Sequence, residues 1–335
     1  MLRKNNRTPL GKQSLKLRRS KMKLSDIKKI GVAGGGTMGF GIGLNFALWG
    51  YSTVVYDLND QILEKSAQRV KKAIDIFVTE EIISRKRAEE AFKILTFTSD
   101  MASLADNDFI TEAIVERLSD KQELFNRLDQ MCPPQTIIAS NTSGLVMSDI
   151  GKGVKRQDKI VLTHYFDPPH IVPGVEVAKG PGTTDETFNL TYDLMKQVKK
   201  VPVKVLKERP GYLLNTIQLT MRGMAYRLWA EGVASAEDID LGIRASFGFR
   251  SPHEGPMMHA DLSGGWRYPK DVLAWRAEAA VAIPGISEEA REKLRQRLAQ
   301  GGTWFVDPDK FEEAIEVRDR EYARRLKDLY WGKVE

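Results

Sequence analysis

Lys29-Ile30-Gly31-Val32-Ala33 runs without a break into Gly34-Gly35-Gly36-Thr37-Met38-Gly39, and an apolar stretch of helical length follows. A β-branched run that meets a G-x-G-x-x-G in this way leaves the chain few options: a strand, a tight turn, and a helix whose N-terminus faces that turn. Gly34 then permits the turn, Gly36 lets a pyrophosphate approach the backbone, and Gly39 lets the helix pack on the strand. The helix N-terminus favours the phosphate charge. Thr37 and Met38 complete the loop. A second strand, over 52–56, ends in Asp57, at the separation expected of a carboxylate that accepts from a ribose 2′-hydroxyl. The same carboxylate repels a 2′-phosphate, so these residues point to NAD rather than NADP. The glycine motif by itself is also compatible with a flavin.

From Ile30 onward, short β-branched runs alternate with longer amphipathic stretches, the pattern of a parallel sheet with helical crossovers. Strands are predicted over 29–33, 52–56, 94–97, 109–111, 136–139, 160–163, 175–178 and 201–205. Residues 61–93 read as a charged helical hairpin that projects from the sheet. After Arg209-Pro210-Gly211 the periodicity is helical almost throughout. Helices are predicted over 213–231, 236–245, 269–282, 287–300 and 310–329, the first of them apolar around much of its circumference and therefore buried. The fold class is thus α/β, a Rossmann-type N-terminal domain with a largely parallel sheet, followed by an all-α C-terminal domain. The boundaries fall at 1–25 (a basic, disordered extension), 26–208 (dinucleotide binding) and 209–335 (helical).

The formal charge of +6 suggests a nucleic-acid partner only until it is located. Residues 1–21 hold eight basic side chains and no acid, which leaves the rest of the chain at −2. Such a tail suits a solvated arm, an organelle transit peptide, or sequence upstream of the true start. The last is favoured, because Met22 stands a few residues before the first strand. Apolar runs are far shorter than the roughly 18 residues that span a bilayer, so a transmembrane protein is excluded. The single cysteine, Cys132, permits no internal disulfide and suits a reducing, cytoplasmic setting. It precedes Pro133-Pro134 at a helix end, has no assigned base, and is read as inert. His170, His253 and His259 lack a recognised zinc spacing, so no metal is expected, and His259-x-Asp261 is read as a structural hydrogen-bond pair.

Four further segments sit at or just beyond the carboxyl ends of predicted strands, the edge where open α/β sheets collect ligands. They are Glu112-Ala113-Ile114-Val115-Glu116, Ser140-Asn141-Thr142-Ser143, His164-Tyr165-Phe166-Asp167-Pro168-Pro169 and Val175-Glu176-Val177. Oxidising a secondary alcohol needs a base for the hydroxyl proton, and a histidine suits that role near neutral pH. Glu176, twelve residues after His164 across a Pro-rich turn, is positioned to orient the imidazole and stabilise imidazolium. Ser143, Asn141 and Asn215 taken singly also fit local capping or backbone bonding.

Together with Gly34-x-Gly-Thr-Met-Gly-x-Gly41, these segments resemble the 3-hydroxyacyl-CoA dehydrogenase family, whose relatives include the gulonate and carnitine β-hydroxy acid dehydrogenases and lambda-crystallin. The likeness is dense from Met22 to about Val205. It continues in Pro210-Gly211-Tyr212-Leu213-Leu214-Asn215 and in Gly255-Pro256 to Leu262, and thins beyond Gly265. The resemblance implies His164 and Glu176 as the catalytic pair, with Ser143 and Asn215 as partners of the reacting oxygen. It also implies Glu116, Lys121 and Asn141 on the nicotinamide and ribose side, a small 3-hydroxyacyl substrate (CoA thioester or free acid), and a homodimer.

Three departures from the family pattern bear on substrate and domain arrangement. Asp167 stands where the family usually has an Asn, and an ionised Asp only accepts hydrogen bonds. The substrate is then uncharged at that point, or carries an extra donor for Asp167, or burial keeps Asp167 protonated. Thr216 replaces a usual Arg, which bears on the hinge between domains or their interface, and Ala73 and Glu80 occupy positions where acyl-CoA members grip coenzyme A; Lys71 and Lys72 are candidate substitutes or equally part of a solvated helix face. The reading is an NAD-dependent dehydrogenase of 3-hydroxyacyl compounds. A catalytically drifted, lambda-crystallin-like protein is the alternative, opposed by the intact His164 and Glu176.

Overall fold

The computed structural model describes residues 22–282 and 286–331; the expectations for the basic tail lie outside them. The chain divides into two compact units, one ending at Met221 and the other beginning at Arg222.

In the first unit, eight strands form one sheet: β1 (Lys29–Ala33), β2 (Ser52–Tyr56), β3 (Leu95–Thr98), β4 (Phe109–Glu112), β5 (Ile137–Ser140), β6 (Ile160–Tyr165), β7 (Gly174–Lys179) and β8 (Val201–Val205). Their order is β3-β2-β1-β4-β5-β6-β7-β8. Every pairing is parallel except β6 with β7. The expected strands are all present, with ends displaced by a residue or two. The strand order reverses between β1 and β4, which opens the crevice where doubly wound sheets bind ligands.

Helices α1 (Gly39–Leu48), α2 (Asp60–Thr79), α3 (Arg85–Ile94), α4 (Leu118–Met131), α5 (Met147–Ile150) and α6 (Asp185–Gln197) connect the strands. All ten residues of α1 are buried. With helices on both faces the central strands are apolar on both sides, so Ile30, Val32, Ile110, Ile138 and Val161 are all fully buried. The expected helical hairpin is α2 and α3, and each starts at a side-chain cap. Asn59 accepts from the N–H of Gln61, and Ser84 accepts from that of Arg87. Cys132 caps the end of α4, where burial raises its thiol to about 11, in keeping with an inert side chain.

Helix α7 (Leu214–Ala230) begins in the first unit and contains the division at Met221. The expectation that it is buried fails. None of its residues is buried, and Ile217, Met221, Met224, Tyr226 and Trp229 stand 43–65% exposed. An apolar circumference reports a need for cover without saying that the same chain supplies it.

The second unit continues with α8 (Ala236–Ala245), α9 (Phe247–Arg250), α10 (Pro256–Leu262), α11 (Lys270–Val281), α12 (Glu288–Ala299) and α13 (Phe311–Leu326), with no strand among its described residues. Leu262, Val306 and Phe311 form its buried cluster. The expected His259–Asp261 pair does not form. Residues two apart on a helix do not face each other. His259 Nδ1 instead meets Glu254 Oε1 at 2.5 Å, and Asp261 accepts from the backbone N–H groups of Trp304, Phe305 and Val306. No described helix is long and apolar enough to cross a membrane.

Candidate active site

The glycine loop joins β1 to α1. Gly34 has φ +105°, a left-handed conformation, and a Cβ there would lie 2.5 Å from the Ala113 carbonyl oxygen. A Cβ on Gly39 would fall 1.7 Å from the Gly34 carbonyl oxygen, so turn and helix close only with glycine at both places. Above Gly36 there is open space: an added Cβ meets nothing within 4 Å. Asp57, at the end of β2, holds the loop from the side. Its Oδ2 accepts from the Gly35 N–H at 2.8 Å and its Oδ1 from the Asn59 N–H at 3.0 Å. A carboxylate has lone pairs beyond these two bonds. An open glycine cradle at the end of a buried helix, with an acid fixed beside it, fits a dinucleotide. Thr37 is exposed on the same loop.

Across the crevice, β4 ends in Glu112, which is fully buried. Lys121, in the first turns of α4, is 1% exposed and places Nζ 2.5 Å from Glu112 Oε1 and 3.1 Å from Glu116 Oε2. Burial pushes the Glu112 carboxyl above its ordinary range, while the Lys121 charge and hydrogen bonds from Lys121, Ser140 and the Ile114 N–H pull the other way. Glu116 is less buried. Burial acts to raise it too, but the Thr142 hydroxyl, the Lys121 ammonium and the Gly144 N–H outweigh that and hold it below the ordinary range. Glu116 also accepts the N–H groups of Ser143 and Gly144, each at 3.1 Å, and so pins the turn that presents Ser143. Sequence reasoning gave Glu112 no role. Its only signal is an acid that closes a short strand begun by Phe109 and Ile110, nine residues before a lysine.

The antiparallel pairing of β6 with β7 sets His164 directly opposite Glu176. His164 Nδ1 lies 2.7 Å from Glu176 Oε2, and both side chains are buried. Glu176 Oε1 accepts the N–H groups of Leu213 at 2.9 Å and Leu214 at 2.7 Å, at the start of α7, where an anion is favoured. Because Glu176 accepts, the network assigns Nδ1 as the donor and leaves Nε2 with its lone pair. The Phe166 ring packs on the His164 ring at 4.6 Å between centroids.

A cavity of about 560 Å³ gathers His164, Ser143, Asn141, Asn215, Asp167, Glu116, Lys121 and Met38 on its walls, together with Gln218, which the sequence did not mark. Asn141 Oδ1 accepts the Tyr165 N–H at 2.8 Å, tying β5 to the end of β6. Asn215 Nδ2 donates to the Ser143 carbonyl at 3.1 Å. The Ser143 side chain makes no hydrogen bond to another described residue. Asp167 is exposed, not buried. The structure thus brings the sequence-derived residues together, with Glu176 behind His164 and with Gly34, Gly36, Gly39 and Asp57 along the glycine loop.

Residues 29–209 match the family model described as the 3-hydroxyacyl-CoA dehydrogenase NAD binding domain. Over 236 residues the chain is 35% identical to a 3-hydroxybutyryl-CoA dehydrogenase of Clostridioides difficile, covering 70% of this chain and 83% of that protein. It is 34% identical over 229 residues to the mitochondrial hydroxyacyl-coenzyme A dehydrogenase of Homo sapiens, covering 67% of this chain and 73% of that one. Among solved structures, (S)-3-hydroxybutyryl-CoA dehydrogenase PaaH1 from Ralstonia eutropha superposes with a TM-score of 0.63 at 27% identity, covering 82% of this chain and 94% of that chain. With the glycine cradle, the acid beside it and these matches in hand, the chain belongs to the 3-hydroxyacyl-CoA dehydrogenase family and is an NAD-dependent oxidoreductase.

Proposed function

We propose that the chain oxidises the 3-hydroxyl of a 3-hydroxyacyl compound with His164 as the base. The observation that carries this is the committed geometry of Glu176: one oxygen on His164 Nδ1 and the other on two backbone N–H groups. Nε2 takes the hydroxyl proton, and the Glu176 charge offsets the imidazolium that forms. The Ser143 hydroxyl and the Asn215 amide hold the reacting oxygen, and Asn141, Glu116 and Lys121 border the nicotinamide and ribose. Gly34, Gly36 and Gly39 with Thr37 and Met38 hold the pyrophosphate, and Asp57 the ribose hydroxyls. NAD, when bound, supplies the acceptor for the two electrons that leave the carbinol carbon.

Charge on the cavity wall supports a thioester or a donor-bearing substrate over a simple free acid. Among the described residues on that wall Lys121 is the one Lys or Arg, and it is shared between two carboxylates, while Asp167 stands exposed. The exposed apolar side chains of α7 support a homodimer in which a second copy covers them. For localisation we keep the cytoplasmic reading. Turnover of a panel of 3-hydroxyacyl-CoAs and free 3-hydroxy acids, followed by NADH absorbance with NAD and with NADP, tests cofactor and substrate class together. Turnover of the CoA thioesters with NAD is the expected outcome, and inactivity across the panel overturns the reading.

A further inference from the structure

Between β6 and β7 the chain makes a turn that contains Pro168, Pro169 and Pro173. Prolines carry no N–H, so this segment is short of donors for its own carbonyls. The Pro168 carbonyl is taken by the N–H groups of Ile171 and Val172, and the Pro173 carbonyl by that of Val201 on β8. The carbonyls of Pro169 and Val172 are taken by a side chain from another element. Lys200 Nζ donates to them at 2.5 and 2.9 Å.

Lys200 is only 6% exposed. It reaches the turn because α6 ends with Lys199 in the left-handed region (φ +59°) and the Lys200 N–H on the Met195 carbonyl, a termination that aims the following residue inward. Among the described residues no carboxylate hydrogen-bonds its ammonium, and the Tyr165 ring centroid lies 6.0 Å from Nζ. Burial brings the group down to about 8 from its ordinary value. A buried cation without a counter-charge is costly, and nothing in the proposed chemistry uses it. On its far side the same turn touches the cofactor helix: a Cβ on Gly41 would lie 2.7 Å from His170 Nδ1 and 2.8 Å from Pro169. His164, Phe166 and Asp167 lead directly into the turn.

We propose that Lys200 is a positioning residue: by holding the Pro169 and Val172 carbonyls it fixes the β6–β7 turn, and with it the placement of Phe166 and Asp167 beside His164. The inference rests on the reading of His164 as the base.

The test uses the full chain and its Lys200→Met variant, well below the unfolding temperature of either. Three quantities are measured: kcat and KM with (S)-3-hydroxybutyryl-CoA and NAD, NADH affinity by fluorescence, and amide hydrogen exchange at Ile171 and Val172. Loss of the ammonium should lower kcat by about 10- to 100-fold, the effect of a small misplacement of reacting groups. The NADH dissociation constant should stay within about threefold. Exchange should quicken at Ile171 and Val172 and stay unchanged at Leu44 in α1. A folded Lys200→Met enzyme with wild-type kcat overturns the proposal, as does unchanged exchange in the turn. If Lys200→Met does not fold, Lys200→Gln, which retains donors for one carbonyl, takes the same measurements with a smaller expected loss. A wild-type chain inactive on the whole panel defeats the reading of the site instead, while exchange in the turn still judges Lys200.

Discussion

At the scale of single residues, His164 has one nitrogen committed to Glu176 and one free for substrate. His164→Ala should therefore cut kcat by about two to four orders of magnitude, the usual worth of a positioned general base, with NADH affinity nearly unchanged. Glu176→Gln keeps a hydrogen-bonding atom near Nδ1 but removes the counter-charge, so its loss should be smaller. Steady-state rates with titrated NADH binding check both, and a His164→Ala enzyme that keeps most of its turnover would exclude it as the base. Asp167 lines the same cavity and, on the proposed reading, faces the substrate's carbonyl or carboxylate. Repulsion between unit charges 4 Å apart is about 1 kcal/mol in water and about 4 at an effective dielectric near 20. A thioester carbonyl carries no charge there but can accept from an Asn and not from an ionised Asp, so Asp167→Asn should raise kcat/KM on (S)-3-hydroxybutyryl-CoA by about tenfold, equivalent to about 1.4 kcal/mol. A large loss on every member of the panel would point to a structural role for the carboxylate.

At the scale of elements, β4 and α4 are locked together by a charge cluster that no surface reading would find. Lys121→Met leaves the Glu112 carboxyl buried without its cation, and removing one partner of such a pair typically costs about 3–5 kcal/mol. Chemical denaturation should show a loss of that size, and a loss under about 1 kcal/mol would mean that Glu112 is held by Ser140 and the Ile114 N–H alone. The elements themselves were readable because β-branched runs and helical periodicity are local properties. The His164–Glu176 pair was readable for a related reason: its members lie twelve residues apart on one hairpin, so spacing alone suggests the contact. Lys200 was not, because its partners are backbone carbonyls, which carry no mark in the sequence. Nor was the true partner of His259, since Glu254 lies five residues back and only the helix geometry decides between it and Asp261.

At the scale of the whole molecule, the sequence marks the end of the sheet, with the last strand closing at Val205 and helix following from Leu214. What covers α7 was beyond its reach, because hydrophobicity states a demand and leaves the supplier open. If a second copy supplies it, light scattering should give a mass near twice that of the 335-residue chain. Met224→Lys with Trp229→Lys should then shift it toward the single-chain value, since each buries a charge in an apolar contact. A wild-type mass of one chain at micromolar concentration would remove the dimer.

The reversal of direction at β7 also bears on how the chain tolerates changes in its length. Side chains alternate between the two faces of a strand, so a slip of one residue in the β6–β7 register sends Glu176 to the face away from His164. An insertion of one uncharged residue between Asp167 and Pro173 that is absorbed in the register would thus abolish the pair while leaving charge and sheet order intact. The same insertion between α2 and α3 would shift no register at the site. The residue count of the β6–β7 turn, as much as its residue identities, is thus under chemical constraint.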